Sequence, residues 1–137
     1  MVMEIRVFGL VLLLVLSIAL PAEAQSWGAF KRKHIYLHMA ESRCTRTINM
    51  RDVNVGVTCK SRNSFIKATS DQVRAICLRA GRPLGGNLYE SLYRFPVVTC
   101  ILRRRSRPCE YYGRQRARYI TVACEWGFPV HYQSERS

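Results

Sequence analysis

Three short segments carry the side chains that can do acid–base chemistry in this sequence. His34 lies near the start, His131 lies near the end, and residues 59–65 combine a cysteine, a lysine, an amide, a hydroxyl and an aromatic ring. An imidazole can accept or supply a proton near neutral pH. A fixed ammonium such as Lys60 stabilises charge that develops on a phosphoryl group. These residue types predict cleavage of a phosphodiester without a metal, provided that folding brings the three segments together.

Plainer interpretations of the same residues remain open at this point. Taken alone, residues 59–65 also fit a surface strand whose lysine is only solvated. His38 lies one helical turn beyond His34 and is the rival candidate for the base. The spacing from Phe30 and to Cys44 favours His34, so we interpret His38 as a solvated helix residue.

The first 24 residues have the features of a secretory signal peptide. An apolar run spans residues 8–20, and Ala22-Glu23-Ala24 forms a small-x-small cleavage signal. The run is shorter than the roughly 20 apolar residues of a membrane-spanning helix. We therefore expect a signal peptide at 1–24, one domain at 25–137, secretion to the extracellular space and no transmembrane anchor.

Charge and cysteine content narrow the class of protein further. The formal net charge of +13 predicts polyanionic partners, which include RNA, heparan sulfate and bacterial surface polyanions. An even number of cysteines in a secreted chain predicts three disulfides, but their pairing stays open. The absence of a C-x-x-C pair argues against a zinc site, and we expect neither metal nor cofactor. The six cysteines are Cys44, Cys59, Cys77, Cys100, Cys109 and Cys124.

The residue pattern predicts helices first and strands later, which is typical of an α+β fold. Apolar periodicity predicts a helix over 27–39 and a second, weaker one over 42–50. Thr69 or Ser70 is expected to cap a third helix that contains Val73 and Ile76. Glycine and proline predict a loop over 80–87. Strands are expected over 63–68, 95–102, 111–112, 119–124 and 128–132.

The ordered motifs resemble the pancreatic-type ribonuclease (ribonuclease A) superfamily over the whole of residues 25–137. They read FKRKH at 30–34, CKSRNSF at 59–65, VACE at 122–125 and FPVHY at 128–132. The number of cysteines, six, resembles that of the angiogenin branch of this family. The sequence at 65–69, which continues the second motif, is most similar to the fish members of that branch. The resemblance implies a bent antiparallel sheet with three helices. It also implies the disulfides Cys44–Cys100, Cys59–Cys109 and Cys77–Cys124.

The resemblance implies an endoribonuclease that cleaves RNA on the 3′ side of pyrimidines through a 2′,3′-cyclic phosphate. His34 would be the base, His131 the acid and Lys60 the group that stabilises phosphoryl charge. Ser64 would read the pyrimidine, because a hydroxyl can donate to or accept from either base. Glu125 would contact the downstream base. The implied substrate-binding residues are Lys33, Asn63, Ser64, Glu125 and Tyr132.

Two positions depart from the family pattern and predict modest activity. Lys33 replaces the usual glutamine and is expected to lower the pKa of His34 by like-charge repulsion. Gln133 stands where an aspartate normally orients the acid histidine. An amide can hold one tautomer, but it stabilises imidazolium less than a carboxylate does.

Two arginine clusters flank Cys109 and support a second hypothesis. Alternation in the second cluster predicts three guanidinium groups on one face of a strand, forming a polyanion-binding patch. The alternative function is a cationic host-defence (bactericidal) or angiogenic protein that acts through its basic surface. A ribonuclease inhibitor is a candidate partner, and a monomer is expected. The arginines are Arg103, Arg104, Arg105, Arg107, Arg114, Arg116 and Arg118.

Overall fold

The structure is a computed structural model that describes residues 25–104 and 108–137. The predicted signal peptide, Arg105 and Arg107 lie outside the described residues. Helices precede most of the strands, so the predicted α+β class is confirmed. In chain order the elements are α1 (Trp27–His34), a 3₁₀ turn (Glu41–Arg43), α2 (Cys44–Met50), β1 (Arg62–Ile66), α3 (Ser70–Arg74), a 3₁₀ turn (Ala75–Cys77), β2 (Gly81–Gly85), β3 (Leu88–Ser91), β4 (Phe95–Arg104), β5 (Glu110–Glu125) and β6 (Phe128–Arg136).

Helix α1 begins and ends for identifiable reasons. The Ser26 hydroxyl accepts a hydrogen bond from the Ala29 amide and caps the start. At Ile35 the backbone becomes extended and forms a parallel bridge with Ile66. The predicted extension of this helix to residue 39 is therefore wrong, and His38 lies exposed in a turn. The early end makes His34 the last residue of the helix, beside strand β1.

Two shorter helices complete the helical part of the fold. Helix α2 starts at Cys44, after the 3₁₀ turn, within the range that the sequence predicts. Thr69 caps α3, and its hydroxyl and the Gln72 side chain exchange hydrogen bonds with each other's backbone amides. Of the two predicted caps, Thr69 is the one observed.

The strands form an antiparallel sheet in the order β1–β4–β5–β3–β2, with β6 also paired to β5. Strand β5 joins two ladders, because its first part pairs with β4 and its second part pairs with β3 and β6. The two predicted strands 111–112 and 119–124 are therefore one continuous strand. The predicted loop at 80–87 is also wrong, since Gly81–Gly85 pairs with β3. Strand β2 ends the order, and sheet edges tolerate the glycine and proline that suggested a loop.

Two apolar clusters hold the sheet against the helices. The first joins α1 and α3 to the sheet and includes the fully buried Phe30, Ile66 and Ile120. The second lies under α2 and includes Phe65 and Val98. Phe65 is 0 % exposed, so it anchors β1 in the core beside the predicted catalytic segment.

Three disulfides connect segments that are distant in sequence. The pairs are Cys44–Cys100, Cys59–Cys109 and Cys77–Cys124, which confirms the pairing that the resemblance implies. In the described part of the chain, no helix is long and apolar enough to cross a membrane.

Candidate active site

His34 is buried at the end of α1 between two aromatic rings. Its ring lies 5.2 Å from that of Phe30 and 5.0 Å from that of Tyr132, measured between centroids. Its Nδ1 lies 2.9 Å from the Ser64 carbonyl oxygen. A carbonyl can only accept, so Nδ1 carries the proton of this hydrogen bond. The neutral ring therefore has Nε2 free to accept a proton, as a general base requires.

Burial, assisted by the charges of Lys60, Lys33 and His131, lowers the pKa of His34 to about 3 against the opposing effect of the hydrogen bond to Ser64. The imidazole is therefore neutral at neutral pH. The predicted effect of Lys33 has the expected direction, although burial is the larger cause. The charges of Lys60 and His131 act on His34, so folding places both groups within electrostatic range of this ring.

Lys60 is fixed at both its backbone and its side chain. Its amide donates to Asn54 Oδ1 at 2.7 Å, and its carbonyl accepts from the Tyr111 hydroxyl at 2.6 Å. Its Nζ donates to Asn63 Oδ1 at 2.9 Å. Asn63 in turn donates to the Lys33 carbonyl at 2.8 Å, which links β1 to α1. Burial and the charge of Lys33 lower the pKa of the Lys60 ammonium.

His131 lies on β6 opposite Ala123 of β5, and its side chain is exposed. No hydrogen bond from another described residue holds its ring. Gln133 is also exposed, and its side chain makes no hydrogen bond within 25–104 and 108–137. The amide that replaces the family's aspartate therefore does not orient His131 in this structure.

The hydroxyl of Ser64 is already engaged by the C-terminal segment. Ser64 Oγ donates to Glu135 Oε1 at 2.8 Å and lies 3.1 Å from Thr99 Oγ1. The Tyr132 hydroxyl donates to the same Glu135 oxygen at 3.0 Å, and Arg118 Nε pairs with the other at 3.1 Å. Burial and the Glu135 charge raise the pKa of Tyr132. The predicted pyrimidine-reading group is thus occupied by a carboxylate of the same chain.

The sequence leaves open whether residues 134–137 cover the base pocket, because a strand irregularity decides where Glu135 points. Tyr132 lies opposite Val122 and Ser134 opposite Thr121, so Gln133 is an extra residue in β6. Such a bulge reverses the alternation of faces beyond it. Glu135, opposite Ile120, therefore shares a face with Tyr132. Its acidic side chain in a basic tail was the one available signal.

The remaining predicted contacts divide into two groups. Ser64 and Tyr132 contact His34, and Asn63 joins Lys60 to the Lys33 carbonyl. Glu125 lies exposed at the end of β5, opposite Phe128, and no hydrogen bond or ion pair joins its side chain to another described residue. Trp126, the next residue, is 97 % exposed and has a positive φ of 55°.

The second arginine cluster lies on one face of β5, as the alternation predicts. Arg114, Arg116 and Arg118 line a common cavity with Arg62 of β1. The first cluster does not join them there: Arg103 stacks over the Tyr112 ring at 5.5 Å, and Arg104 is exposed opposite Glu110. Among the described arginines, the cavity is therefore lined only by the second cluster and Arg62.

Comparisons with known proteins identify the family. Residues 25–133 match the family model described as pancreatic ribonuclease. The chain is 36 % identical to ribonuclease-like 3 of Danio rerio over 121 residues, which cover 82 % of this chain and 81 % of that protein. It is 39 % identical to angiogenin of Papio hamadryas over 139 residues, with coverages of 96 % and 94 %.

Solved structures agree with these sequence matches. The X-ray structure of zebrafish RNase5 matches with a TM-score of 0.74 and 38 % identity, covering 78 % of this chain and 91 % of that one. The structure titled RNASE ZF-3E matches with a TM-score of 0.77 and 34 % identity, covering 81 % and 96 %. The fold, the three disulfides and these relatives agree: the chain belongs to the pancreatic ribonuclease family, in its angiogenin branch with fish members.

Proposed function

We propose that this ribonuclease is a secreted endoribonuclease that cleaves single-stranded RNA on the 3′ side of pyrimidines. The observation that carries the proposal is the neutral, buried His34 under the influence of Lys60 and His131. These are a base, a cation and a second proton carrier, the set that transphosphorylation needs.

The proposed reaction has two steps. Nε2 of His34 removes the proton of the ribose 2′-hydroxyl, and the 2′-oxygen attacks the phosphorus. The bond from phosphorus to the 5′-oxygen breaks, and His131 protonates that oxygen as it leaves. Lys60 stabilises the negative charge that grows on the phosphoryl oxygens. Water then opens the 2′,3′-cyclic phosphate, with His131 as base and His34 as acid.

Selectivity for pyrimidines rests on Ser64 in this proposal. Its hydroxyl can donate to or accept from uracil and cytosine alike. To make that contact, the base must displace the Glu135 carboxylate, which now accepts from Ser64 at 2.8 Å. Breaking a hydrogen bond to a charged group costs about 1.5 to 3 kcal/mol. Modest activity follows from this cost and from the unsupported ring of His131.

Secretion belongs to the same proposal. The three disulfides favour an oxidising compartment, because cytosolic thiols are kept reduced. The signal peptide expected at 1–24 would deliver the chain there.

Cleavage of uridylyl-adenosine tests the assignment. We expect His34→Ala and His131→Ala each to lower kcat/KM by about a hundredfold or more, because each removes one proton transfer. Lys60→Ala is expected to act similarly through lost charge stabilisation. His38→Ala is the matched control, since it removes an exposed imidazole from a turn. Retention of full activity in either His34→Ala or His131→Ala would refute the roles.

A second candidate function is killing of bacteria through the basic surface. It is favoured by the cluster of arginines on β5, of which Arg114 and Arg116 have no ion-pair partner in the described residues. If this function operates without catalysis, His131→Ala keeps its bactericidal effect while Arg114→Ser with Arg116→Ser loses it. The opposite pattern would assign killing to RNA cleavage.

A further inference from the structure

Two arginines join the end of α1 to the residues that follow α2, and each binds the backbone of the other's segment. Arg32 donates through Nη1 to the carbonyl oxygens of Arg51 and Asp52, at 2.8 Å and 2.6 Å. Arg51 donates back through Nη1 to the carbonyl oxygens of Lys31 and Arg32, each at 3.3 Å, and to that of Ile35 at 2.6 Å. We call these hydrogen bonds of Arg32 and Arg51 the arginine clasp.

The guanidinium group of Arg51 is held in one orientation. It stacks over the Tyr36 ring, with its central carbon 4.5 Å from the ring centroid. Neither arginine of the clasp pairs with a carboxylate in the described part of the chain. The clasp therefore depends on the planar shape and the several donors of a guanidinium rather than on an ion pair.

One side of the clasp is the helical turn that carries His34. The last carbonyl groups of a helix have no partner within it and need donors from elsewhere. The Lys33 carbonyl accepts from Asn63 at 2.8 Å, and the Ile35 carbonyl accepts from Arg51. These two residues flank His34 in the chain. The backbone that carries the imidazole is therefore held on both sides by side chains from other segments.

The other side of the clasp leads to Lys60. Asp52, whose carbonyl accepts from Arg32, has a φ of 52°, which is uncommon for a residue other than glycine. Backbone in such a conformation persists where its surroundings hold it. Two residues further on, Asn54 Oδ1 accepts from the Lys60 amide at 2.7 Å. The clasp therefore fixes the start of the segment from which Asn54 holds Lys60.

We propose that Arg51, through the arginine clasp, is a positioning residue that sets where the His34 ring stands relative to Lys60. The value of this alignment for RNA cleavage rests on the proposed function. A displacement of about 1 Å between reacting groups can lower a rate by about a hundredfold. A side chain that touches neither the substrate nor the imidazole thus controls the rate of the chemical step.

Cleavage of uridylyl-adenosine by Arg51→Lys tests the proposal. Lysine keeps the positive charge but lacks the planar set of donors and the stacking over Tyr36. We expect kcat to fall about tenfold and KM to stay within about twofold, since no hydrogen bond of the clasp involves a residue assigned to the substrate. Arg32→Lys, which removes the other half of the clasp, should have the same effect.

Arg43→Lys is the matched control. Arg43 donates to the Tyr36 hydroxyl at 3.1 Å, so this variant also removes a guanidinium from that ring, but it leaves the carbonyl groups of α1 untouched. Its kcat should stay within about twofold of the wild-type value. An unchanged kcat in Arg51→Lys, or an equal fall in Arg43→Lys, would overturn the proposal.

Removal of the imidazole distinguishes alignment of His34 from a general loss of structure. In a His34→Ala background, Arg51→Lys has no ring left to displace, so we expect the residual kcat to change by less than about twofold. A further fall of about tenfold in this double variant would show that the two residues act independently, and it would refute the positioning role.

A measurement on the His34 ring separates this inference from the proposed function. Nδ1 carries the proton that is bonded to the Ser64 carbonyl, and NMR follows the exchange of this proton with water. We expect faster exchange in Arg51→Lys and unchanged exchange in Arg43→Lys. The amide of Val98, which is 0 % exposed, reports general loosening of the fold and should be accelerated far less.

The possible results lead to separate conclusions. Faster exchange at the His34 ring than at Val98 supports the clasp even if no RNA is cleaved. Unchanged exchange at the ring in Arg51→Lys, or equal acceleration at Val98, refutes it even if RNA is cleaved.

Discussion

Burial and neighbouring cations act on His34 in the same direction. The ring is 9 % exposed, lies between Phe30 and Tyr132, and senses the charges of Lys60 and Lys33. Protonation would place a third positive charge in this dry site. The same surroundings that keep the His34 ring unprotonated therefore make the fold sensitive to acid.

This sensitivity predicts a loss of stability on mild acidification. Because the pKa of His34 falls from 6.5 when unfolded to about 3 when folded, its contribution is present above pH 6.5 and is lost as the pH falls toward 3. Between pH 7 and pH 5 the free energy of unfolding should drop by about 2 kcal/mol through this group. Urea denaturation at both pH values measures it.

His34→Gln is the matched control for this measurement, since its side chain does not titrate. The pH range stays above 4.5, the ordinary pKa of Glu90, whose pKa in the folded protein is about 2. An equal loss of stability in wild type and His34→Gln would contradict the assignment to His34.

Trp126 carries backbone strain without packing against the fold. It has a φ of 55° and is 97 % exposed. A bulky residue is unfavourable in this conformation, whereas asparagine tolerates it. We expect Trp126→Asn to raise the free energy of unfolding by about 1 kcal/mol, measured by urea denaturation. Trp27→Asn, which removes a ring packed against the core, should instead lower it. A Trp126→Asn variant less stable than wild type would be the contrary result.

At the scale of elements, Glu90 of β3 joins two separate parts of the sheet. It is buried, and it pairs with Arg82 of β2 and with Arg136 of β6, each at 2.8 Å. Hydrogen bonds from Arg136 and Arg82 lower the pKa of Glu90 to about 2. Arg136 directly follows Glu135, so its ion pair with Glu90 fixes the end of β6 that carries Glu135.

Glu90→Gln is expected to weaken the interactions of this residue with Arg82 and Arg136. The amide keeps the size of the side chain but loses the charge and one acceptor oxygen. We expect a loss of about 1 to 2 kcal/mol in the free energy of unfolding, limited by the exposure of the two arginines. Uridylyl-adenosine cleavage should rise severalfold at the same time, because Glu135 is held less firmly over Ser64.

Arg82→Ala is the control, since it breaks only the β2 side of the network. It should lower stability without raising cleavage. If both variants change cleavage equally, Glu90 does not act on the base pocket through β6.

The elements also show which features a sequence can predict. The helix starts and the position of His34 were predictable because caps and apolar spacing are local. The end of α1 depends on Ile35 pairing with Ile66, which no local pattern contains. Strand β2 was missed because Gly81 and Pro83 disfavour strands in general, although an edge tolerates them. The contact of Glu135 with Ser64 depends on a bulge, so residue alternation predicts the wrong face.

At the scale of the whole molecule, the disulfide Cys59–Cys109 connects the predicted catalytic segment to the residue that precedes β5. Cys59 precedes Lys60, and Cys109 lies near Tyr111, whose hydroxyl donates to the Lys60 carbonyl. The crosslink therefore restrains the backbone from which the ammonium extends. The disulfide Cys77–Cys124 closes a chain segment of similar length, with a sequence separation of 47 against 50.

Because the two disulfides close segments of similar length, we expect their removal to have similar effects on stability but different effects on activity. Replacing either pair by alanines should lower the free energy of unfolding by a similar amount, about 2 to 5 kcal/mol. Only Cys59→Ala with Cys109→Ala should also lower kcat/KM on uridylyl-adenosine well below the value for the other pair. The comparison is made below both unfolding temperatures. Equal kcat/KM values would show that the crosslink does not position Lys60.

The side chains of the proposed site come from opposite ends of the sequence, which has a consequence for biosynthesis. His34 belongs to the first helix, His131 to the last strand, and Glu135 to the residues that follow it. In the proposed mechanism His131 is the acid, so a ribosome-bound chain lacks this group until β6 has been made and has docked on β5. If the proposed mechanism holds, we expect the growing chain not to cleave the messenger RNA and ribosomes that produce it before β6 is made.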